Sequence, residues 1–154
     1  MNINKFMIGG ALAVVALLLA VGVSKAHESA ERATISTNDM TLSVRVADSP
    51  SERTHGLSGF TAETVKAQGM LFVFPEAEVQ DFWMKGMKLD LDVVWIRDGK
   101  IVSISKNIPA PKPGEEPARM SSKPIPVDMV LELPAGYVDL FGLTPGLAIN
   151  IELP

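Results

Sequence analysis

The sequence predicts an α+β fold: a compact, mostly antiparallel, barrel-like β domain with two or three short helices, preceded by an N-terminal hydrophobic helix. Three observations lead to this prediction. About seven segments of strand length are apolar or alternate between apolar and polar residues, and turn residues separate them. Brief segments between them carry helix start and stop signals. One uncharged apolar run, residues 6–23, precedes all of these segments.

Residues 1–26 are predicted to be a targeting segment, as either a cleaved signal peptide or a membrane anchor. As a helix, residues 6–23 would span about 27 Å, close to the roughly 30 Å hydrocarbon core of a bilayer. The run therefore fits an anchor, while the small residues Ser24 and Ala26 fit a signal peptide that is cut after Ala26. Because Lys5 precedes the run, either alternative places the rest of the chain outside the cytoplasmic membrane, periplasmic or secreted. Residues 27–33 are predicted to be a linker and residues 34–154 a single domain.

The first half of the domain mixes strand and helix signals. Apolar and polar residues alternate over residues 42–46, as in a half-buried strand. The letters SPSE at residues 49–52 match a capping box with proline at the first helical position, and Gly56 can end that helix. A second short helix is predicted between Thr61 and Gly69. The apolar run at residues 70–74 is predicted to be a strand.

Strand signals dominate the second half. The letters DFWM at residues 81–84 lead through a loop into an apolar strand at residues 91–96. Asp98 and Gly99 predict a tight hairpin into a returning strand. Residues 109–124 hold five prolines and are predicted to be a long extended loop. Further strands are predicted near residues 127–133 and 147–153, with a short helix or turn between them.

The composition excludes several classes of function. The chain has no cysteine, which excludes disulfides, zinc–thiolate sites, iron–sulfur clusters and cysteine nucleophiles. It has two histidines, so no histidine-based metal cluster is expected, and no metal or other cofactor is predicted. Residues 27–154 carry 12 basic and 18 acidic groups, because Lys5 and Lys25 are the only charged residues before them. This net charge of −6 argues against nucleic acid as a partner.

Several motifs occur in the order and spacing of one known family. They are SERTHGL, GMLFVF, FWMK followed by LDVVWI, GKIV and VLELPAG. With this combination the chain resembles the bacterial and archaeal DUF192 family (domain of unknown function 192) over nearly all of residues 35–153. The resemblance implies a small, mostly β domain that is commonly exported or membrane-anchored. It implies no activity, because the family has no established one.

The chain departs from the family's usual pattern near its most recognisable segment. After the letters FWMK the family usually has asparagine and threonine, where this chain has Gly86 and Met87. Asp90 replaces a proline, and Met120 replaces a tyrosine. These departures remove polar groups from the loop. They put in doubt any role that the family would give to an amide or a hydroxyl there.

The letters DFWMKGMKLDLDVVWI, residues 81–96, mark the leading candidate for a binding site. If DFWM is a strand, Phe82 and Trp83 point to opposite faces, so that one is core and the other lies on the surface beside Lys85. The alternative for Trp83 is ordinary packing. The predicted ligand-binding residues, bordered by the 109–124 loop, are Phe82, Trp83, Met84, Lys85, Asp92, Ser121 and Ser122. Their ligand would be an unknown small molecule.

Catalysis is a second hypothesis, although no catalytic residue is assigned. Asp90, Asp92 or Glu132 could act as acid and base in a hydrolase of cell-envelope material, which a raised pKa inside a pocket would favour. Alternatively Asp90 is solvated and Asp92 caps a turn or pairs with Lys85. His55 lies three residues before Ser58 without a nucleophile-elbow motif, and is interpreted as a residue at a helix C-terminus.

Three further alternatives stay open. Glu132 is either exposed or, if buried, one half of a structural ion pair with Arg45 or Arg53, since an unpaired buried carboxylate is costly. The ion pair is preferred to catalysis. Met84 and Met87 could offer thioethers to Cu(I), although methionine is a common filler of protein cores. Finally, the domain could be a structural module that assembles with an envelope protein through an exposed apolar patch.

Overall fold

The computed structural model describes residues 31–65 and 69–154 of the chain. The predicted hydrophobic helix, the targeting segment and most of the predicted linker lie outside these ranges. Within the described ranges, no helix is both long and apolar enough to cross a membrane. The first described strand begins at Arg32, shortly before the predicted start of the domain at residue 34.

The described residues form nine strands and three short helices. In chain order they are β1 (Arg32–Ser36), β2 (Thr41–Ala47), α1 (Pro50–His55), α2 (Ala62–Val65), β3 (Met70–Glu78), β4 (Asp81–Trp83), β5 (Leu91–Arg97), β6 (Lys100–Ile108), β7 (Arg119–Ser121), β8 (Val127–Pro134), α3 (Tyr137–Leu140) and β9 (Asn150–Glu152).

Seven of these strands form one curled sheet in the order β6-β5-β8-β3-β2-β1-β9. Its neighbouring strands are antiparallel, except that β2 and β3 run parallel. The chain just before β9 also contacts the opposite edge strand β6. Lys100 bridges to Ala148, and the amide of Ile101 donates to the carbonyl of Leu147 over 2.9 Å. The sheet is therefore a curled, mixed half-barrel, which confirms the predicted mostly β, barrel-like fold in outline.

Local sequence signals explain several element boundaries. At the start of α1, the amide of Glu52 donates to the Ser49 hydroxyl and the amide of Ser49 donates to the Glu52 carboxylate, which confirms the predicted capping box. Gly56 ends the helix with a positive φ of 51°. Asp98 and Gly99 both have positive φ, as a two-residue hairpin of type I′ requires. The predicted hairpin between β5 and β6 is confirmed.

The 109–124 segment differs from its prediction as a long extended loop. It contains β7, which pairs with β4 as a separate two-stranded sheet. In this pairing Asp81 lies opposite Ser121 and Trp83 lies opposite Arg119. β7 has three residues in a proline-rich segment, so local sequence carries little signal for it. The pairing brings the end of this segment directly against the predicted binding residues.

Two hydrophobic clusters lie on the two faces of the sheet. Successive side chains of the central strands alternate between them: Val94 and Leu131 belong to one cluster, while Val93 and Val130 belong to the other. All residues from Leu91 to Ile96 are buried, so both faces of β5 are covered. We call the cluster that contains Val93 and Val130 the second cluster. It packs beneath β4 and the loops on either side of it, and it forms the floor of the candidate site.

Candidate functional site

Strand β4 places two aromatic side chains on opposite faces, as the alternation predicted. Phe82 points inward and makes edge-on contacts with Phe72, Trp95 and Phe74, at ring-centroid distances of 5.0, 5.7 and 6.5 Å. Trp83 points outward and is 45% exposed. This pair therefore joins the interior of the domain to its surface at one strand.

Two cations flank the exposed indole of Trp83. The Lys85 ammonium lies 4.8 Å from the ring centroid, and the Arg119 guanidinium lies 5.0 Å from it. Arg119 is placed there by its register opposite Trp83 in the β4–β7 pair. Each contact is a cation–π interaction worth about 0.5–1 kcal/mol at an exposed site. They give this surface a positive charge around an aromatic plane.

Met84, predicted as a ligand-binding residue, lies in the core and not at the surface beside Trp83. It is 1% exposed, and its amide donates to the carbonyl of Ala118 over 2.9 Å. Met84 is buried because successive side chains along a strand alternate between its two faces. Met84 follows the outward-facing Trp83 and therefore points inward, like Phe82. Met87, which is 9% exposed, takes part in the site instead.

The loop that carries Lys85 and Met87 is held by a close contact at Gly86. Gly86 has φ of 75°, and a Cβ there would lie 2.2 Å from the Ser58 hydroxyl oxygen. The amide of Gly59 also donates to the carbonyl of Gly86 over 2.9 Å. Glycine and asparagine are the residues that best tolerate this left-handed conformation. The absence of a Cβ at Gly86 therefore allows the close contact with Ser58.

A cavity of about 420 Å³ opens between α1, β3 and β4. Its wall combines aromatic side chains from the core with basic and acidic groups. The lining residues are Pro50, Arg53, Thr54, His55, Gly56, Phe72, Phe74, Gln80, Asp81, Phe82, Trp83, Lys85, Met87 and Glu132. We call this the Glu132 cavity. Its volume lies within the usual range for small-molecule sites.

Glu132 occupies the middle of β8, the strand between β3 and β5. Its register partners are Met70 on β3 and Val93 on β5, and it points to the second cluster's face of the sheet. Gly69 packs closely against the backbone of Glu132. A Cβ at Gly69 would lie 2.2 Å from the carbonyl oxygen of Glu132, so only glycine fits here. Topology therefore places an acidic side chain among apolar neighbours at the wall of the cavity.

The carboxyl of Glu132 is buried, and no described residue forms an ion pair with it. Its residue is 2% exposed, and Oε2 has no hydrogen-bond partner among the described residues. Burial in these apolar surroundings disfavours the charged form and raises the pKa of Glu132 from 4.5 to about 8. The group is therefore mostly protonated at neutral pH and can donate one O–H hydrogen bond into the cavity.

The predicted ion pair of Glu132 with Arg45 or Arg53 is wrong. The Arg45 guanidinium lies 5.1 Å from the ring centroid of Phe60. Arg53 stacks 5.5 Å from Phe74 and donates to the backbone carbonyls of Asp48 and Val73. Both arginines stack on aromatic rings, and Arg53 also satisfies two backbone oxygens. Arg53 nevertheless keeps its positive charge at the wall of the cavity.

Basic groups outnumber acidic ones at the mouth of the cavity. Arg53, His55 and Lys85 line it, and the exposed acid that faces them is Asp81. Asp81 lies 4.0 Å from the Lys123 ammonium, at the outer limit of an ion pair. His55 is the last residue of α1, as predicted, and is exposed. The mouth therefore has a net positive charge.

Asp92 and Asp90 stabilise the backbone and do not line the cavity. Asp92 is fully buried and accepts hydrogen bonds from the amides of Asn107, Gly136 and Val138, at 2.8, 2.9 and 3.1 Å. Two of these donors lie at the start of α3, so the predicted turn-capping role of Asp92 is confirmed. Asp90 accepts from the amide of Ala110 over 2.8 Å. Asp92, predicted as a ligand-binding residue, is thus not brought to the cavity, and its oxygens are engaged inside the fold.

Ser121 and Ser122 hold one residue of the cavity wall in place. The Ser122 hydroxyl is buried and accepts from the amide of Gln80 over 3.0 Å. The Ser121 hydroxyl donates to the carbonyl of Gln80 over 3.3 Å. Neither serine lines the Glu132 cavity, whereas Gln80 does. The predicted serines therefore position the wall, and sequence reasoning did not single out Gln80.

The remaining wall residues also lay outside the predicted set. Phe72 and Phe74 belong to an apolar strand and Arg53 to a short helix, so each has an ordinary structural explanation in the sequence. The signal that points to the cavity is Glu132 itself, an acid between two leucines in a largely apolar strand. Among the described residues, no group of three or more histidine, cysteine, aspartate and glutamate side chains is arranged to hold a metal ion.

The fold and the site define a small half-barrel domain with a cavity whose wall carries a buried acid. The chain belongs to the DUF192 family, described as uncharacterized ACR, whose model matches residues 32–151. The resemblance seen in the sequence motifs is thus confirmed.

Two solved structures are similar to this chain. One is a candidate transcription regulator from Sinorhizobium meliloti 1021, with 35% sequence identity, a TM-score of 0.65, and coverage of 78% of this chain and 92% of that one. The other is a protein of unknown function from Novosphingobium aromaticivorans DSM 12444, with 24% identity and a TM-score of 0.61, covering 77% and 83% of the two chains. The latter likeness concerns the fold alone. No curated protein matches the chain.

Proposed function

We propose that this domain binds a small organic ligand in the Glu132 cavity and does not transform it. The observation that carries this proposal is the Glu132 carboxyl, which is 2% exposed and has an Oε2 without a partner among the described residues. A buried polar group left unpaired costs roughly 1–3 kcal/mol. A hydrogen-bond partner supplied by a ligand would offset that cost.

The wall of the cavity supports binding of an organic molecule. Phe72, Phe74 and Phe82 supply an apolar surface, and their edge-on ring contacts restrict their motion. A few polar groups set into a largely apolar wall are the usual composition of a small-molecule site. Trp83 and Lys85, the centre of the predicted binding patch, stand at its mouth.

The place of action is part of the proposal. Residues 6–23 are apolar and uncharged and follow Lys5, which favours export of the domain across the cytoplasmic membrane. We propose a periplasmic or secreted domain that is anchored by this segment if it is not cleaved. Mass spectrometry of the protein recovered from the periplasm and from membranes tests this, since cleavage after Ala26 would give a chain that begins at His27.

Nucleic acid is not proposed as a partner, although one similar structure is named as a candidate transcription regulator. Residues 27–154 carry a net charge of −6, whereas phosphate binding relies on clustered lysine and arginine. Assembly with an envelope protein stays a prediction from the sequence.

A ligand screen followed by tryptophan fluorescence tests the proposal. Trp83 lies at the cavity and is 45% exposed, whereas Trp95 is fully buried and its indole N–H donates to Ser105 over 3.1 Å. A bound ligand should therefore change the emission of Trp83. The variant Trp83→Phe should lose this signal, while Glu132→Leu should lose affinity and keep the signal.

The control variant is Glu116→Gln, which replaces an exposed acid of the 109–124 segment. It should bind every hit with unchanged affinity. If compounds bind and Glu132→Leu leaves all their affinities unchanged, the cavity is not the binding site and the proposal fails.

A second candidate function, acid–base hydrolysis, is favoured by one specific observation. Glu132 has a raised pKa of about 8 at the wall of a cavity, as a general acid often does. Asp81 lines the same cavity and could be the second carboxylate, whereas Asp90 and Asp92 are engaged with the backbone. Turnover of a chromogenic glycoside or ester that is abolished in Glu132→Gln would establish this alternative. Turnover that survives in Glu132→Gln would exclude Glu132 as the acid.

A further inference from the structure

We infer that the ligand of the Glu132 cavity is a small organic anion with a flat apolar body, whose uncharged hydrogen-bond acceptor meets Glu132 and whose negative group meets Lys85 and Arg53. This inference rests on the proposed function and specifies the class of ligand. It follows from the order of polar groups between the floor of the cavity and its mouth.

The floor of the cavity favours an acceptor that carries no charge. Glu132 sits between Met70 and Val93 in the sheet, where an ionised carboxylate would lack compensation. In its neutral form the group donates one O–H bond, which suits a carbonyl, ether or ring-nitrogen acceptor. A ligand ammonium would instead have to ionise Glu132 and form a buried ion pair, which pays two desolvation penalties.

The middle of the cavity favours a flat apolar body. The rings of Phe72 and Phe82 meet edge-on at 5.0 Å, and Phe74 meets Phe82 at 6.5 Å. Such a wall offers both ring faces and ring edges to an aromatic or alicyclic molecule. Among the lining residues, Met87 adds an adaptable thioether to the same surface.

The mouth of the cavity favours a negative group. Lys85 forms no ion pair among the described residues, and its ammonium lies over the indole of Trp83. Arg53 uses guanidinium donors on two backbone carbonyls and still contributes its positive charge. The other titratable groups that face this space are His55 and Asp81. An amine would meet mainly positive charge on entry, whereas a carboxylate or phosphate would be attracted.

The test is a fragment screen against the full chain, followed by protein-observed 1H–15N NMR. The library is divided into size-matched classes: anions with a neutral acceptor, anions without one, neutral acceptors and amines. Shifts of the Trp83 indole N–H and the Phe82 amide report binding at the cavity. We expect the first class to be enriched among compounds that move these signals.

A matched set of three compounds isolates the two contacts. The set is 4-acetylbenzoate, which has both groups, 4-isopropylbenzoate, which lacks the acceptor, and acetophenone, which lacks the charge. Glu132→Leu should weaken 4-acetylbenzoate about five- to tenfold, as expected for one neutral hydrogen bond, and leave 4-isopropylbenzoate unchanged or tighter. Lys85→Gln should weaken both benzoates about two- to fivefold and leave acetophenone unchanged. The control Lys88→Gln, on the same loop but outside the cavity wall, should change none of them.

The outcomes separate the inference from the proposed function. Enrichment of amines at the cavity, or equal enrichment of neutral and anionic compounds, would overturn the inference and leave a small-molecule site in place. A screen in which no compound moves the Trp83 and Phe82 signals would overturn both. If Glu132→Leu and Lys85→Gln leave the affinities of the benzoates unchanged, the assignment of the two contacts is overturned.

Discussion

Replacement of Glu132 by glutamine should change how the stability of this protein depends on pH. Burial raises the pKa of Glu132 from 4.5 to about 8 in the folded chain. Unfolding exposes the carboxyl and returns its pKa to the ordinary value. Between these two pKa values the unfolded chain therefore releases a proton that the folded chain keeps.

The sign and the magnitude follow from this linkage. Because the folded pKa is the higher one, the contribution of Glu132 to stability is fully present below pH 4.5 and is lost as the pH rises through about 8. The loss amounts to about 1.4 kcal/mol per pH unit, or about 3 kcal/mol between about pH 5 and about pH 7.5. Glutamine cannot ionise. The free energy of unfolding of Glu132→Gln, minus that of the wild type, should therefore rise by about 3 kcal/mol over this interval.

Urea denaturation followed by circular dichroism at several pH values measures this difference directly. Other ionisable groups cancel when the variant is compared with the wild type at each pH. Glu116→Gln is the control and should show a nearly constant difference. A difference for Glu132→Gln that stays constant within about 0.5 kcal/mol would refute the argument that Glu132 is protonated by burial.

Three further predictions concern the residues around the cavity, and urea denaturation checks each. Trp83→Ala should lower the free energy of unfolding by about 1 kcal/mol, because Trp83 is 45% exposed, whereas Trp95→Ala should lower it by about 3–5 kcal/mol, because Trp95 is fully buried. Asp92→Asn should cost about 2–4 kcal/mol, since it weakens three hydrogen bonds to a buried carboxylate, while Asp90→Asn should cost about 1 kcal/mol or less. Gly69→Ala should cost at least about 3 kcal/mol, because it adds a Cβ against a backbone oxygen at positive φ.

Each of these predictions has an outcome that contradicts it. Equal losses at Trp83 and Trp95 would mean that the exposed indole is part of the core. Equal and small losses at Asp92 and Asp90 would mean that the buried caps do not stabilise the start of α3. A tolerated Gly69→Ala would mean that the close passage of the chain beside Glu132 is not required.

Much of the fold could be predicted because its signals are local. The capping box at Ser49 and Glu52, the Asp98-Gly99 hairpin and the alternation of Phe82 with Trp83 each depend on neighbouring residues. The β7 strand could not be predicted, since it pairs with β4 across more than thirty residues of intervening chain. Its three residues gain strand geometry from that partner and from little in their own sequence.

The candidate site was predicted in part, for a similar reason. Trp83 and Lys85 stand at the cavity, but Met84 turns inward and Asp92 is used by the backbone. Whether a buried acid has a partner depends on tertiary contacts. The predicted ion pair between Glu132 and Arg53 is not formed, because Arg53 stacks on Phe74 and donates to backbone carbonyls. Sequence alone could not decide between these partners.

Crystallographic soaking with the fragments that move the Trp83 signal is the most direct test of a ligand site at Glu132. We expect electron density in the Glu132 cavity, with a ligand acceptor within hydrogen-bond distance of the carboxyl and the apolar body against Phe72 and Phe82. Fragments that bind elsewhere, with the carboxyl of Glu132 approached by water or by protein groups alone, would contradict it.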